Sequence, residues 1–487
     1  MISIEEANKR YGTLAVLHAR YQTISSDQVR PKVAAIKTLL LNPPPPRIVE
    51  SYDAPNYPHI GLGYVASYLR SKRCPVSVLD AKMERMSISG TLENIQQMKP
   101  DLVGLSSYTQ EIIHVASLAK QIKNRWPAIR TVIGGIHATV LPRETLEEFP
   151  WFDFLVFGEG EIVLYELVEA LENSTPLDQI KGLGYRKDGT VVVNELRPWN
   201  TELDDLPFPA WDLFPKAELY PIITSRGCPF KCIFCTRPYG DKTRERSPQN
   251  VVDEFAELVT KYNAKNIVFR DETFGVNKRR AIEILDMILG QKLSKGVTLD
   301  LHSRVDTVNA ELLEKLKRAG CTNVGFGIES GNERILKDSR KGITLMQARR
   351  AVEMAKRLGL KTSSYFILGF PNETKKTAWD TINFARKLNT ESVSIAIMMP
   401  FPKTRVEEMV RRGEGGYKRI SHEWSDYNKQ TGAVVELEGI KHRTLVLFQV
   451  MGYVMCYICN MRIGNFCSVL RSRFKQVLLL ARNLFRP

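Results

Sequence analysis

SRGCPFKCIFCTRP, residues Ser225 to Pro238, places three cysteines within eight positions. Cys228, Cys232 and Cys235 are separated by three and then two residues, a spacing that lets one tight loop turn its thiolates toward a common centre. Thiolates grouped in this way suit an iron-sulfur cluster or zinc. A structural zinc site asks for a fourth ligand, and the nearest downstream His or Cys candidates, His302 and Cys321, lie far along the chain. Three thiolates on a cubane of four irons instead leave one iron open for chemistry.

The sequence around this loop predicts the fold. The runs PIITS, NIVFRD, TLDLHSR, NVGFGIE, TSSYFIL and VSIAIMMP, separated by long amphipathic stretches, predict six strand-helix units of a partial TIM-like barrel over residues 218–410. The cysteines directly follow its first strand, at the face where barrel active sites are built. In SPQNVVDEFAELV, Ser247 can cap a helix whose first turn accommodates Pro248. Upstream, over residues 35–180, short apolar runs alternate with helical patterns and predict a doubly wound, flavodoxin-like α/β domain. Its ligand site is expected beyond the carboxyl ends of the strands, where the loops NPPPP, DAKMER, SSYTQE, GGIHAT and GEGE fall. Residues 181–217 read as a linker, with a hairpin around Asp188-Gly189 and the prolines of DDLPFPAWDLFP breaking regular structure. Residues 1–34 form an N-terminal extension, and residues 411–487 a helical C-terminal region.

A chain of 487 residues is too long for one ordinary core, and 43% hydrophobic with 25% charged residues fits a globular protein and excludes a disordered one. Eight irregularly spaced cysteines and the polar start MISIEEANKR predict a reducing, cytoplasmic setting. The net charge of +15 bears on partners rather than fold. No RNA-binding signature is present, so no nucleic-acid partner is expected. After Glu438 there is no Asp or Glu, while Arg462, Arg471, Arg473, Lys475, Arg482 and Arg486 are set among apolar residues. That pattern predicts peripheral membrane contact through the tail, at the inner face. Thr444 to Met461 is an uncharged run of 18 residues, long enough for a membrane helix, but Gln449, Gly452 and Asn460 favour a buried or interfacial one. Cys456, Cys459 and Cys467 sit in apolar surroundings and read as core packing rather than a second cluster.

The segment CPFKCIFC, with Phe234 in the aromatic position, resembles the C-x3-C-x-Φ-C signature of radical S-adenosylmethionine (SAM) enzymes. FRDETF, GFGIESG and FILGFPNET are similar to the motifs that follow the second, fourth and fifth barrel strands in that family. The resemblance implies a 4Fe-4S cluster on Cys228, Cys232 and Cys235, with the open iron chelated by SAM. It also implies SAM contacts at Phe234, Asp271, Glu272, Arg304, Glu329, Gly369 and Pro371. VIGGIHATVLPRETLEEFPWFDFLVFGEGE resembles the cobalamin-binding domain that precedes the barrel in one subclass, which includes methyltransferases and the anaerobic porphyrin ring cyclase. Cobalamin contacts are then expected at Asp80, Ser106, Ser107, Gly134, Gly135, His137, Thr139, Gly158, Glu159 and Gly160.

DAKMER departs from the D-x-H-x-x-G pattern, because Lys82 stands where a cobalt-ligating histidine would. A protonated lysine does not ligate the metal, so water, an unrelated residue or nothing is expected there. What the resemblance implies is SAM cleavage to methionine and a 5′-deoxyadenosyl radical, then methylation of an unactivated carbon in a lipid-like or other small-molecule substrate. An electron donor such as flavodoxin or ferredoxin is implied as well. Two alternatives stand beside this: an oxidative cyclase or carbon-carbon bond-forming enzyme without methyl transfer, and a non-catalytic cobalamin or iron-sulfur sensor.

Overall fold

The computed structural model describes residues 35–45, 57–430, 433–462 and 464. The N-terminal extension, Pro46, the basic tail beyond 464 and Cys467 lie outside the described residues.

Five parallel strands, β1 (Thr38–Asn42), β2 (Val76–Asp80), β3 (Leu102–Ser106), β4 (Arg130–Gly134) and β5 (Phe154–Val156), pair in the order β2-β1-β3-β4-β5. This is the flavodoxin-like order. Leu39, Leu40 and Leu41 are all buried because β1 has helices on both faces, which is why the run shows no alternation. Strand order reverses between β1 and β3, so the loops leaving them diverge and open a crevice at their carboxyl ends. The hairpin at Asp188-Gly189 does more than link. Its strands, β6 (Leu183–Lys187) and β7 (Thr190–Val193), extend this sheet antiparallel to β5. Positive φ at Asp188 (50°) and Gly189 (80°) supplies the tight turn that such a hairpin needs.

The second sheet begins with β8 (Leu219–Ile222), after which the short strands β9 (Ser225–Arg226) and β10 (Arg244–Glu245) pair across the base of the cysteine loop. It continues through β11 (Asn266–Phe269), β12 (Thr298–Ser303), β13 (Cys321–Glu329), β14 (Lys361–Leu368) and β15 (Ser392–Ile397). These six long strands are parallel and neighbour one another in sequence order, an open barrel with edges at β8 and β15. Ser247 caps the helix Pro248–Thr260 by accepting from the Asn250 N–H at 3.2 Å.

The proline-rich linker joins the two sheets physically. Pro209 lies so close to Gly63 that a Cβ there would come within 2.8 Å, and Trp211 packs edge-on against Tyr220 of β8. Both domains consequently share one continuous apolar core.

The uncharged C-terminal run forms the helix His442–Tyr457, packed on β15 and on the helix Lys375–Leu388. Its polar side chains take up the open edge of β15: the Tyr457 hydroxyl accepts from Val393 N–H at 3.0 Å, the Tyr453 hydroxyl from Ile395 N–H at 3.2 Å, and Gln449 Nε2 donates to Ile395 O at 2.7 Å. An exposed strand edge is thereby covered without a further strand. Gly452 permits the approach, since a Cβ there would sit 2.4 Å from Ile395. Cys456 is buried in this contact, whereas Cys459 is exposed and packs in no core. Among the described residues no helix is long and apolar enough to cross a membrane.

Candidate active site

The cysteine loop is held at both ends by backbone. Gly227 has φ 88°, and a Cβ there would meet Lys242 O at 2.2 Å, so only glycine fits immediately before Cys228. Ile233 N–H donates to Ser339 O at 3.1 Å, and Val406 N–H to Ile233 O at 3.2 Å, tying the loop to two later turns. All three cysteines are free thiols on the wall of a cavity of about 710 Å³ at the carboxyl end of the barrel. Cys235 donates to Cys232, whose thiol is pulled down to about 6; burial opposes this, while Lys341 and Arg304 assist it. Cys235 is pushed well up by the same hydrogen bond and then by burial of its thiol.

This donor set fits an iron-sulfur cluster: three reduced thiols on one loop, with a thiolate favoured at Cys232 beside two cations. Among the described residues no three His, Cys, Asp or Glu side chains converge on a single ion.

The residues assigned to SAM divide between the cavity wall and its supports. Phe234, Glu272, Arg304 and Glu329 line the cavity. Phe234 packs edge-on against Phe370 at 5.5 Å. The Arg304 guanidinium lies 3.6 Å over the Phe230 ring, pairs with Asp306 at 2.9 Å and reaches to 3.9 Å from Cys232 Sγ. Glu329, at φ 74°, pairs with Lys341 at 2.9 Å. Burial pushes the Glu272 carboxyl up.

Asp271, Gly369 and Pro371 lie off this wall. Asp271 is buried and accepts from Thr224 N–H at 2.6 Å and Ser225 Oγ at 2.8 Å, holding the start of the cysteine loop to β11. The Gly369 N–H is taken by Glu373, and its carbonyl accepts from the Tyr417 hydroxyl at 2.8 Å. Burial pushes the Glu373 carboxyl to about 7, opposed by the Gly369 and Phe370 amides.

A second cavity, about 200 Å³, occupies the crevice of the first domain and is lined by Ser106, Ser107, Gly134, Gly135, Thr139, Gly158, Glu159 and Gly160. Gly135, at φ 93°, lets its loop close on Ser107, whose carbonyl would be 2.7 Å from a Cβ. Thr139 Oγ1 accepts from Gly158 N–H at 3.2 Å, fixing the two glycine loops together. The crevice and the large cavity share Tyr108, Ile136 and Pro238, so one elongated group can occupy both. Its apolar floor of Leu40, Gly104 and Val132 and its polar rim fit a large flat cofactor with a narrow tail.

Asp80 and His137 are placed elsewhere. Asp80 is buried and accepts from Asn42 Nδ2 at 2.6 Å and from the His59 and Met83 amides, bracing β1 against β2. His137 is buried edge-on against Trp424 at 5.1 Å, and burial lowers it to about 4. Lys82 is bound to Glu111 at 2.7 Å, and among the described residues no histidine lines the first-domain side of the large cavity, which is formed by Tyr108, Thr109, Gln110, Ile136 and Val140.

Sequence reasoning did not find His59, whose Nε2 lies 3.4 Å from Ser106 Oγ in the crevice, nor Tyr365, Ser394, Lys429 and Gln430 in the large cavity. It weighed His302 only as a metal ligand, yet the alternation in TLDLHSR places that ring inside the barrel, opposite in facing to buried Leu301 and Ser303.

Comparison with known proteins agrees with this geometry. The Radical SAM superfamily profile matches residues 222–385, and the B12 binding domain profile residues 48–168. An uncharacterized methyltransferase of Pyrococcus horikoshii is 37% identical over 382 residues, covering 77% of this chain and 83% of that protein. The anaerobic magnesium-protoporphyrin IX monomethyl ester cyclase of Rubrivivax gelatinosus is 31% identical, covering 72% of this chain and 65% of its own length. Among solved structures, the cobalamin-dependent SAM radical enzyme OxsB, with aqua-cobalamin and SAM bound, superposes with a TM-score of 0.72 over 95% of this chain and 76% of that one, at 17% identity.

Proposed function

This chain belongs to the radical SAM enzymes that carry a B12-binding domain, and from that premise we propose that it methylates an unactivated carbon of a small-molecule substrate. The observation that carries this reading is the meeting of both domains in one cavity, lined by the three cysteines and by Tyr108 of the first domain. When bound, the cluster with SAM supplies one-electron hydrogen abstraction, and cobalamin supplies a methyl carrier.

The chain's own part is to hold and shield. Cys228, Cys232 and Cys235 would hold the cluster, and the Arg304–Asp306 and Lys341–Glu329 pairs hold their charges beside it in fixed positions. Phe230, Phe234, Phe401 and Met398 narrow the cavity and exclude water from reactive species. With Lys82 fixed on Glu111, the first domain offers cobalt no lysine or histidine ligand from the DAKMER loop.

Incubation of the reconstituted enzyme with methyl-labelled SAM and cell-extract metabolites is expected to leave label in a product heavier by one methyl group. An unlabelled product with a new ring or carbon-carbon bond would place the chain with the cyclase chemistry instead. The electron is proposed to come from a flavodoxin- or ferredoxin-like donor. For the basic tail, flotation with anionic liposomes is expected to retain the full chain and to lose one ending at Gly464, which keeps the helix that covers β15; equal flotation by both would remove the membrane contact.

A further inference from the structure

Three cationic side chains line the large cavity, and two of them are neutralised. Arg304 pairs with Asp306 and Lys341 with Glu329, each at 2.9 Å. Lys429 has no carboxylate in ion-pair distance among the described residues; its Nζ lies 5.3 Å from the centre of the Phe401 ring. Its position is built rather than incidental. Lys429 O accepts from Ile397 N–H at 2.9 Å, so the segment runs alongside the end of β15. The next residue, Gln430, donates to Ser394 Oγ at 3.2 Å and accepts from the Tyr453 hydroxyl at 3.2 Å.

The lining residues in contact with this segment, Phe401, Ser394 and Ile397, are uncharged. His302 stacks on Tyr365 at 5.1 Å across Gly325, where a Cβ would lie 2.9 Å from the tyrosine ring. Burial, then Arg270, keeps His302 neutral, so it offers hydrogen bonds and no competing charge. Met398, Met399 and Phe401 form the adjoining apolar surface. An ammonium facing such a wall gains most from an anion that shares its desolvation.

We propose that Lys429 receives a carboxylate or phosphate at one end of the substrate, while Met398, Met399 and Phe401 receive the apolar body. Binding is thus oriented from the C-terminal segment. This rests on the reading of the cavity as the substrate chamber of a cobalamin-dependent radical enzyme.

The test uses the full chain, reconstituted anaerobically with cluster and hydroxocobalamin, and four probes of equal length: octanoate, octyl phosphate, octanol and octylamine. Calorimetric titration is expected to show at least one of the two anions binding about tenfold or more tighter than octanol, with octylamine weakest; which anion is tighter distinguishes carboxylate from phosphate substrates. Lys429→Gln should erase that preference while leaving octanol binding in place, and Lys429→Arg should keep it. Equal binding of anions and octanol, or a preference that survives in Lys429→Gln, overturns the proposal. So does a Lys429→Gln protein that fails to retain cobalamin, since the lysine would then serve the cofactor. Iron content, cobalamin spectrum and reductive SAM cleavage are read in the same samples: their failure removes the functional reading, whereas their success without anion preference removes this inference alone.

Discussion

Cys232→Ala, reconstituted anaerobically with iron and sulfide, is expected to lose the brown cluster chromophore and to drop reductive SAM cleavage on the order of 10³-fold or more, the scale on which loss of a whole catalytic unit registers. The surroundings of Cys232 favour its thiolate: it accepts from Cys235, and Lys341 and Arg304 lie beside it. Alanine removes that thiol and leaves the two cations facing an apolar methyl group. Cobalamin binding should persist, because the crevice is walled chiefly by the first domain and the variant touches none of it. Both readouts are needed. A variant that keeps iron and sulfide in wild-type amounts would mean that the loop does not ligate the cluster, and wild-type protein that takes up zinc without sulfide would return the loop to a structural role.

How much of this was legible depends on how local each cause is. Cysteine spacing is covalent, so the grouping of three thiols on one loop could be read directly from SRGCPFKCIFCTRP. Parallel pairing followed from apolar runs alternating with helical patterns, since parallel strands need crossover connections. Cofactor contacts were harder. A motif identifies a loop but not which of its polar atoms the loop itself consumes: Asp271 is occupied by Thr224 and Ser225, the Gly369 amide by Glu373, and Asp80 by Asn42. His137 was misplaced for another reason. Its partner Trp424 comes from the C-terminal region, and no local pattern announces that contact. Lys429 and Gln430 share this property, reaching β15 from an aperiodic segment pinned there by a helix that begins at His442. The hairpin at Asp188-Gly189 was legible as a turn, but its docking on β5 depends on an open sheet edge that exists only in the folded domain.

Arg226→Met is expected to destabilise the protein by about 3–5 kcal/mol, read as a lower midpoint in denaturant, because it strands the buried Glu161 carboxylate and takes one of two arginines from Glu159. Arg226 stands two residues before Cys228 and spans the domain boundary: Nη1 binds Glu159 at 2.9 Å and Nη2 binds Glu161 at 2.6 Å. Burial alone would lower its pKa, but Glu161 and Glu159 more than offset this and hold it above the ordinary value. Both acids belong to the first turn region of the helix Gly160–Asn173, where the helix dipole favours negative charge, and Arg244 adds a second cation to Glu159 at 2.8 Å. The pair therefore fixes the GEGE loop of the crevice directly to the base of the cysteine loop. Glu161→Gln in the Arg226→Met background should recover part of the loss, since no other ion pair is formed by Glu161 among the described residues. Strictly additive effects of the two substitutions would show that the arginine contributes through packing on Tyr64 and Tyr239 rather than through charge. Coupling between them, accompanied by weaker cobalamin retention in Arg226→Met with its three cysteines intact, would show that this ion pair sets the crevice and the cluster loop at a common distance across the cavity.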